Sequence, residues 1–338
     1  MDRIAVAMTH GHTSKWTQVV ITSLKKYHND VPFDIYVACS WPGHPSIKAL
    51  TEVPELAENV TIIPCQRRLH SHATGIETII EYIWDKDYSH IFTCETDCQA
   101  KKDGWLDWFY NFMKDDPTIG MAGFFWHEGN NHYNINPSGT LYRMDMVKQY
   151  HTEARNNNDD IFWHPKGTKM GTDEGMDPTI KDLVGCFAET RGIKDPTPEQ
   201  LEYINGGIPF ASWWEPGSWL FVRSVNEWKH VRVPCDHIYM HTPGQPSVYT
   251  PEGTYYGGKA DPYFIHYWGG TRSYDFLKHR VDDNFVRNGA KFWIQREDQI
   301  WKDSVPEQYR QIVHQLNIEA NIEAKMKENL GIFVPEVM

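Results

Sequence analysis

"HIFTCETDCQAKKDGWLDWF", residues 90–109, runs from an apolar stretch at His90–Cys94 through Glu95-Thr96-Asp97 into a tryptophan-rich helical pattern that begins near Gly104. In an extended chain the side chains at i and i+2 point the same way, so Glu95 and Asp97 are expected to converge. Two close carboxylates repel each other unless a cation or a shared proton relieves them. A strand end followed by a solvated turn would carry the same tripeptide, so the surrounding sequence has to decide between the two.

Outward from this stretch, strand and helix patterns alternate. Apolar runs at residues 3–10, 33–40, 59–65, 89–95 and 118–126 predict strands. Residues 14–27, 44–53, 69–84 and 104–114 carry apolar side chains at helical spacing, with Thr13 or Ser14 a plausible N-cap for the first. Such alternation predicts an α/β fold, a mostly parallel sheet flanked by helices on both faces. Ligands of these sheets bind at the carboxyl ends of the strands. Three predicted strand ends carry Thr9-His10-Gly11, Ser40-Trp41-Pro42 and Glu95-Thr96-Asp97.

Beyond residue 127 the pattern loosens. TLYRMDMVKQY (140–150) reads as a strand passing into a helix, and GTDEGMD (171–177) precedes a helical pattern. Residues 209–270 are rich in Pro, Gly and aromatics, including FASWWEPGSW (210–219) and FIHYWGGTR (264–272). From Tyr274 the chain turns charged and helical, and 312–330 reads as an amphipathic helix.

Composition bounds the partners. The chain has 338 residues, 40% hydrophobic and 23% charged, enough for a sizeable core. A formal net charge of -12 disfavours the broad basic surface of a duplex-binding protein. No signal-like apolar stretch follows the N-terminus, and no run of about 18 apolar residues occurs, so a soluble, cytoplasmic protein with no transmembrane segment is expected. The six cysteines lack zinc-finger spacing and read as reduced thiols.

Four segments together resemble the GT-A fold nucleotide-sugar glycosyltransferases of the family-2 style. IAVAMTHGHTSKWTQVVITSLKKY resembles the nucleotide-binding start, and LHSHATGIETIIEYIWDKDYSHIFTCETD the Gly-containing helix leading to the D-x-D strand, here E-T-D. GTDEGMD resembles the acidic motif that supplies a catalytic base, and FIHYWGGTR the late segment whose His ligates a metal. The resemblance implies a GT-A-like Rossmann-type catalytic domain over 1–273, with a nucleotide-binding half (1–126) and an acceptor half (127–273). It leaves 274–338 as a C-terminal helical extension.

The implied activity is metal-dependent transfer of a sugar from a nucleotide diphosphate sugar to an acceptor hydroxyl, with inversion. The resemblance implies a divalent metal, Mn2+ or Mg2+, on Asp97 and His266, with His241 the competing histidine. Asp173 and Glu174 are the implied base, with Asp177 third. Thr9, His10, Trp41, Arg67, Glu95 and Arg272 are expected around the donor, with Arg68 and His72 also within reach. Trp213, Trp214 and Trp219 are expected on the acceptor side. The acceptor is a glycan or another hydroxyl, a modified DNA base being disfavoured by the acidic charge. Two alternatives stay open: a nucleotidyltransferase, and a catalytically inactive carbohydrate-binding protein with a degenerate site, which the Glu at position 95 keeps in play.

Overall fold

The computed structural model describes residues 2–10, 14–39, 47, 50, 53–65, 72–126, 134–135, 138–156, 220, 224, 227–242, 245–267, 295–312 and 315. Strand β1 (Ile4–His10) shows how the sequence builds the core. Ile4, Val6 and Met8 enter one apolar cluster, and Ala5 and Ala7 enter another on the opposite face. This is the period-2 alternation of a strand buried on both sides. In β2 (Phe33–Cys39), Ile35, Val37 and Cys39 follow the first set, and Tyr36 and Ala38 the second.

The main sheet has seven strands. Beyond β1 and β2 these are β3 (Val60–Pro64), β4 (His90–Cys94), β6 (Ile119–Gly123), β9 (Thr140–Arg143) and β10 (Lys229–Arg232). Their order is β10-β6-β9-β4-β1-β2-β3. The pairs β1–β2, β2–β3, β1–β4 and β6–β10 are parallel, and β9 is antiparallel to both neighbours. Successive strands step outward from β1 to β3, and β4 then returns to the other side of β1. A doubly wound sheet opens its ligand crevice at such a reversal, outside the carboxyl ends of the two strands. Here that crevice lies beyond His10 and Cys94.

Helices cover both faces. α1 (Ser14–Lys26), α2 (Pro54–Ala57) and α4 (Trp105–Tyr110) contribute Val20, Leu24, Leu56, Trp105 and Phe109 to one cluster. α3 (His72–Ile83) and α5 (Met144–Asn156) contribute Ile76, Ile79, Ile80, Val147 and Tyr150 to the other. The small side chains that the strands present to α3, Ala5, Ala7 and Ala38, let that helix sit low on the sheet. At Gly75 the approach is closest, because a Cβ there would lie 2.0 Å from Thr9 Cγ2.

A second sheet, in the order β11-β12-β13-β5, is antiparallel where β11 (Cys235–Thr242), β12 (Gln245–Tyr256), β13 (Phe264–His266) and β5 (Cys98–Ala100) pair. A two-stranded ribbon joins β7 (Phe125–Trp126) to β8 (Asn134–Ile135). The predicted strands of the first half and the helices expected over 14–27, 69–84 and 104–114 coincide with these elements to within a few residues, whereas the helix expected over 44–53 lies mostly outside the described residues and α2 was not expected. The hairpin β11–β12 and the three-residue β5 are absent from the sequence expectation.

Two predictions follow from this packing. Gly75→Ala forces a methyl into Thr9 and should cost about 1–3 kcal/mol, the scale of overpacking a close contact. Thr9→Ser removes the opposing methyl, so the pair should recover part of that loss in urea denaturation. The second concerns His90, which is fully buried in β4. Burial, reinforced by Arg143 and opposed by Asp2, pushes its pKa down from 6.5 to about 4. The unfolded chain binds more protons over that interval, so His90 withdraws stability as pH falls from 6.5 towards 4. His90→Gln should flatten this part of the pH profile of the urea midpoint.

Candidate active site

The acidic tripeptide leaves β4 at the switch point. Its entry is held by the turn before β9. The Glu95 amide donates to Ser138 Oγ at 3.2 Å, and the Gly139 amide donates to the Thr93 carbonyl at 2.9 Å. Gly139 has a φ of +87°, and a Cβ there would lie 2.5 Å from the Tyr256 ring, so the turn requires glycine twice over. Tyr256 closes the arrangement by donating its hydroxyl to the Ser138 carbonyl.

The exit is held by the second sheet. β5 begins directly after Asp97 and pairs with β13 in the register His266↔Cys98, Ile265↔Gln99, Phe264↔Ala100. The Tyr267 amide donates to the Asp97 carbonyl at 2.8 Å. The ladder therefore delivers His266 beside the tripeptide. His266 Nε2 lies 2.9 Å from Glu95 Oε2 and 3.5 Å from Asp97 Oδ1. Residues 95–97 form a turn rather than extended chain. The two carboxylates meet because both reach one imidazole, not because of strand alternation.

Exposure grades the cluster. The side chains of Asp97 and His266 are 2% and 4% exposed, and that of Glu95 is 33% exposed. Glu95 is thus the lip and the other two the floor. Burial alone would lower the His266 pKa, but its bonds to Asp97 and Glu95 outweigh that and push it up to about 9. Burial, with Glu95 adding to it, raises the Asp97 carboxyl against the counter-pull of His266. Cys98 borders the cluster, its thiol held well above the ordinary range by burial and by its acidic neighbours. Asp97, Cys98 and His266 each bring one ligand atom within 4.8 Å of the others.

Behind the floor runs a hydrogen-bonded brace. Tyr267 donates its hydroxyl to Gln99 Oε1 at 2.7 Å, and Gln99 Nε2 donates to Ser304 Oγ at 2.7 Å. Ser304 ends the helical segment 295–304, which lies against α1. There Trp301 donates to Gln18 at 2.7 Å, Lys15 pairs with Asp298, and Val305 joins Trp16, Tyr255, Ile265 and Tyr267 in an apolar cluster. The described part of the C-terminal extension thus packs onto the strand that carries His266.

Among the other expected site residues, Thr9 lies at the end of β1 against Gly75. His10 is buried, with Nδ1 2.7 Å from Thr17 Oγ1 of α1. His241 belongs to β11, opposite Tyr249, and His72 to the first turn of α3. Trp41, Arg67, Arg68, Asp173, Glu174, Asp177, Trp213, Trp214, Trp219 and Arg272 lie outside the described residues. Sequence reasoning missed Gln99, Ser138, Tyr267 and Ser304. Cys98 was noted there only as one of the six reduced thiols.

No family model matches the chain, and no curated protein matches it. Several solved structures overlap it in outline at low identity. TarS of S. aureus in complex with UDP gives a TM-score of 0.36 at 12% identity over 51% of this chain and 52% of that one. The matched region thus spans about half the length of that TarS structure. The galactosyltransferase LgtC, in complex with donor and acceptor sugar analogs, gives 0.36 at 11% identity over 92% of this chain and 100% of that one. The mannosyltransferase PcManGT from Pyrobaculum calidifontis, in complex with GDP-Man and Mn2+, gives 0.35 at 10% identity over 67% and 76%.

The brace can be tested by a double-mutant cycle. Gln99→Ala removes three hydrogen bonds, those with Tyr267, Ser304 and Lys101, and should cost about 1–3 kcal/mol, and Ser304→Ala about 1. Because the two residues share one bond, the double variant should cost less than the sum of the singles.

Proposed function

We propose that the chain is a metal-dependent, inverting GT-A-type glycosyltransferase that moves a sugar from a nucleotide diphosphate sugar to an acceptor hydroxyl. The observation that carries this reading is the buried Asp97–His266 pair, lipped by Glu95, at the switch point of a doubly wound sheet. Its donor set suits a divalent cation. A shielded carboxylate oxygen, Asp97 Oδ1, faces an imidazole nitrogen at 3.5 Å. Oxygen and imidazole donors together accept Mn2+ or Mg2+. Bound there, the ion would neutralise the diphosphate leaving group.

The chain's own residues do the rest. To hold a cation His266 gives up its Nε2 proton, which the neighbouring carboxylates otherwise retain. Glu95, at the open edge, faces the donor ribose. Thr9, His10 and Trp41 are assigned to the nucleoside, and Arg67 and Arg272 to the phosphates. Asp173 or Glu174 takes the proton from the acceptor hydroxyl as the new bond forms on the face opposite the leaving group. Trp213, Trp214 and Trp219 are assigned to the acceptor, a glycan or another hydroxyl compound. A cytoplasmic setting belongs to the same reading. No helix among the described residues is long and apolar enough to cross a membrane.

Donor turnover with and without manganese tests the reading. Asp97→Ala should abolish manganese-dependent release of nucleoside diphosphate while circular dichroism stays unchanged. Asp173→Asn or Glu174→Gln should slow transfer roughly 10²-fold or more with donor affinity retained. Full turnover by Asp97→Ala would sink the metal assignment. Donor binding without any turnover by the wild type would favour the inactive carbohydrate-binding alternative. Pyrophosphate release from a nucleoside triphosphate and a sugar phosphate would favour the nucleotidyltransferase.

A further inference from the structure

A second cluster of ligating side chains lies on the other face of the main sheet. Glu77 and Glu81 stand four residues apart on α3, so they share one side of that helix. His151 approaches them from α5. One ligand atom from each of the three lies within 4.8 Å of the others. His151 and Glu77 are buried, and Glu81 is exposed.

The histidine is the informative member. Its side chain is 1% exposed, and its Nε2 rests against Glu77 Oε1. The other ring nitrogen, Nδ1, makes no hydrogen bond, and both nitrogens are shielded from solvent. Trp84 lies across the imidazole at 4.8 Å between ring centroids and fixes its plane. Buried imidazole nitrogens ordinarily find a hydrogen-bond partner or a metal.

We propose that Glu77, Glu81 and His151 form a second divalent-metal site, separate from Asp97 and His266, that ties α3 to α5. One imidazole nitrogen with two carboxylate oxygens suits a zinc-class transition ion rather than calcium or magnesium, which prefer all-oxygen shells. The exposed Glu81 marks the side from which the ion enters and where water completes its shell. The competing arrangement is a plain buried ion pair between His151 and Glu77, which has no use for Glu81 and no response to added metal. The proposal is independent of the glycosyltransferase reading, because it involves no residue of the first cluster.

The test uses the full-length chain stripped with a chelator and then titrated with ZnCl2 or CoCl2. Calorimetry gives the stoichiometry, and the visible cobalt spectrum reports the ligand field. The wild type should bind an equivalent that Glu81→Gln loses or holds about tenfold or more weakly. The same equivalent should survive in Asp97→Ala. Zinc should raise the Tm of the wild type more than that of Glu81→Gln. Glu81 is exposed, so its substitution should leave the fold intact even if His151→Gln does not fold. A wild type that takes up neither zinc nor cobalt, or a Glu81→Gln chain with unchanged stoichiometry and affinity, would overturn the site.

Discussion

The pairing of Cys98–Ala100 with Phe264–His266 joins chain segments far apart in sequence; the Tyr267–Gln99 bond beside it spans 168 residues. A contact of that separation must outweigh a large loss of chain entropy. Three ladder residues are too few to do so alone. The pairing is supported by what surrounds it. Phe264 packs among Phe92, Trp105, Phe109 and Tyr256, with ring centroids 5.4 to 6.1 Å away. On the other side Ile265 and Tyr267 pack with Trp16 and Val305. The aromatic core beneath β4 and the C-terminal segment therefore both bear on the placement of His266.

That placement settles an electrostatic problem. Asp97 is buried beside a second carboxylate, an arrangement that disfavours its own charge. An imidazolium between the carboxylates relieves both, and that is why His266 holds its proton so firmly despite full burial. A divalent cation would serve the same electrostatic need with more charge. The cluster is thus built around a position for positive charge. Glu95 is only partly covered, so solvent reaches the cluster from its side.

The two sheets divide the labour. The main sheet carries β1 and β4 side by side and so creates the crevice by topology alone. The antiparallel sheet supplies the wall that turns the end of β4 into a site. Gly139 and Gly75 mark where backbone and helix come too close for any side chain, one beneath the tripeptide and one beneath the end of β1. Both lie within the elements that frame the crevice, and neither forms part of the polar cluster.

The β/α alternation was legible in the sequence, because strands buried on both faces and amphipathic helices display their periods locally. The acidic tripeptide was legible for the same reason: it interrupts an apolar run where a strand must end. The three-residue β5 was not, since so short a segment shows no period. The hairpin β11–β12 was hidden by the Pro and Gly within β12. Whether His241 or His266 stands beside Asp97 could not be read from local pattern, as both follow apolar runs. Long-range pairing decided it by putting His266 opposite Cys98 and leaving His241 opposite Tyr249. The sequence by itself determined which residues could form a charged cluster at the end of β4. Tertiary structure decided which of them share one buried point, because only non-local strand pairing and the core behind it bring an imidazole from the far end of the chain to two carboxylates.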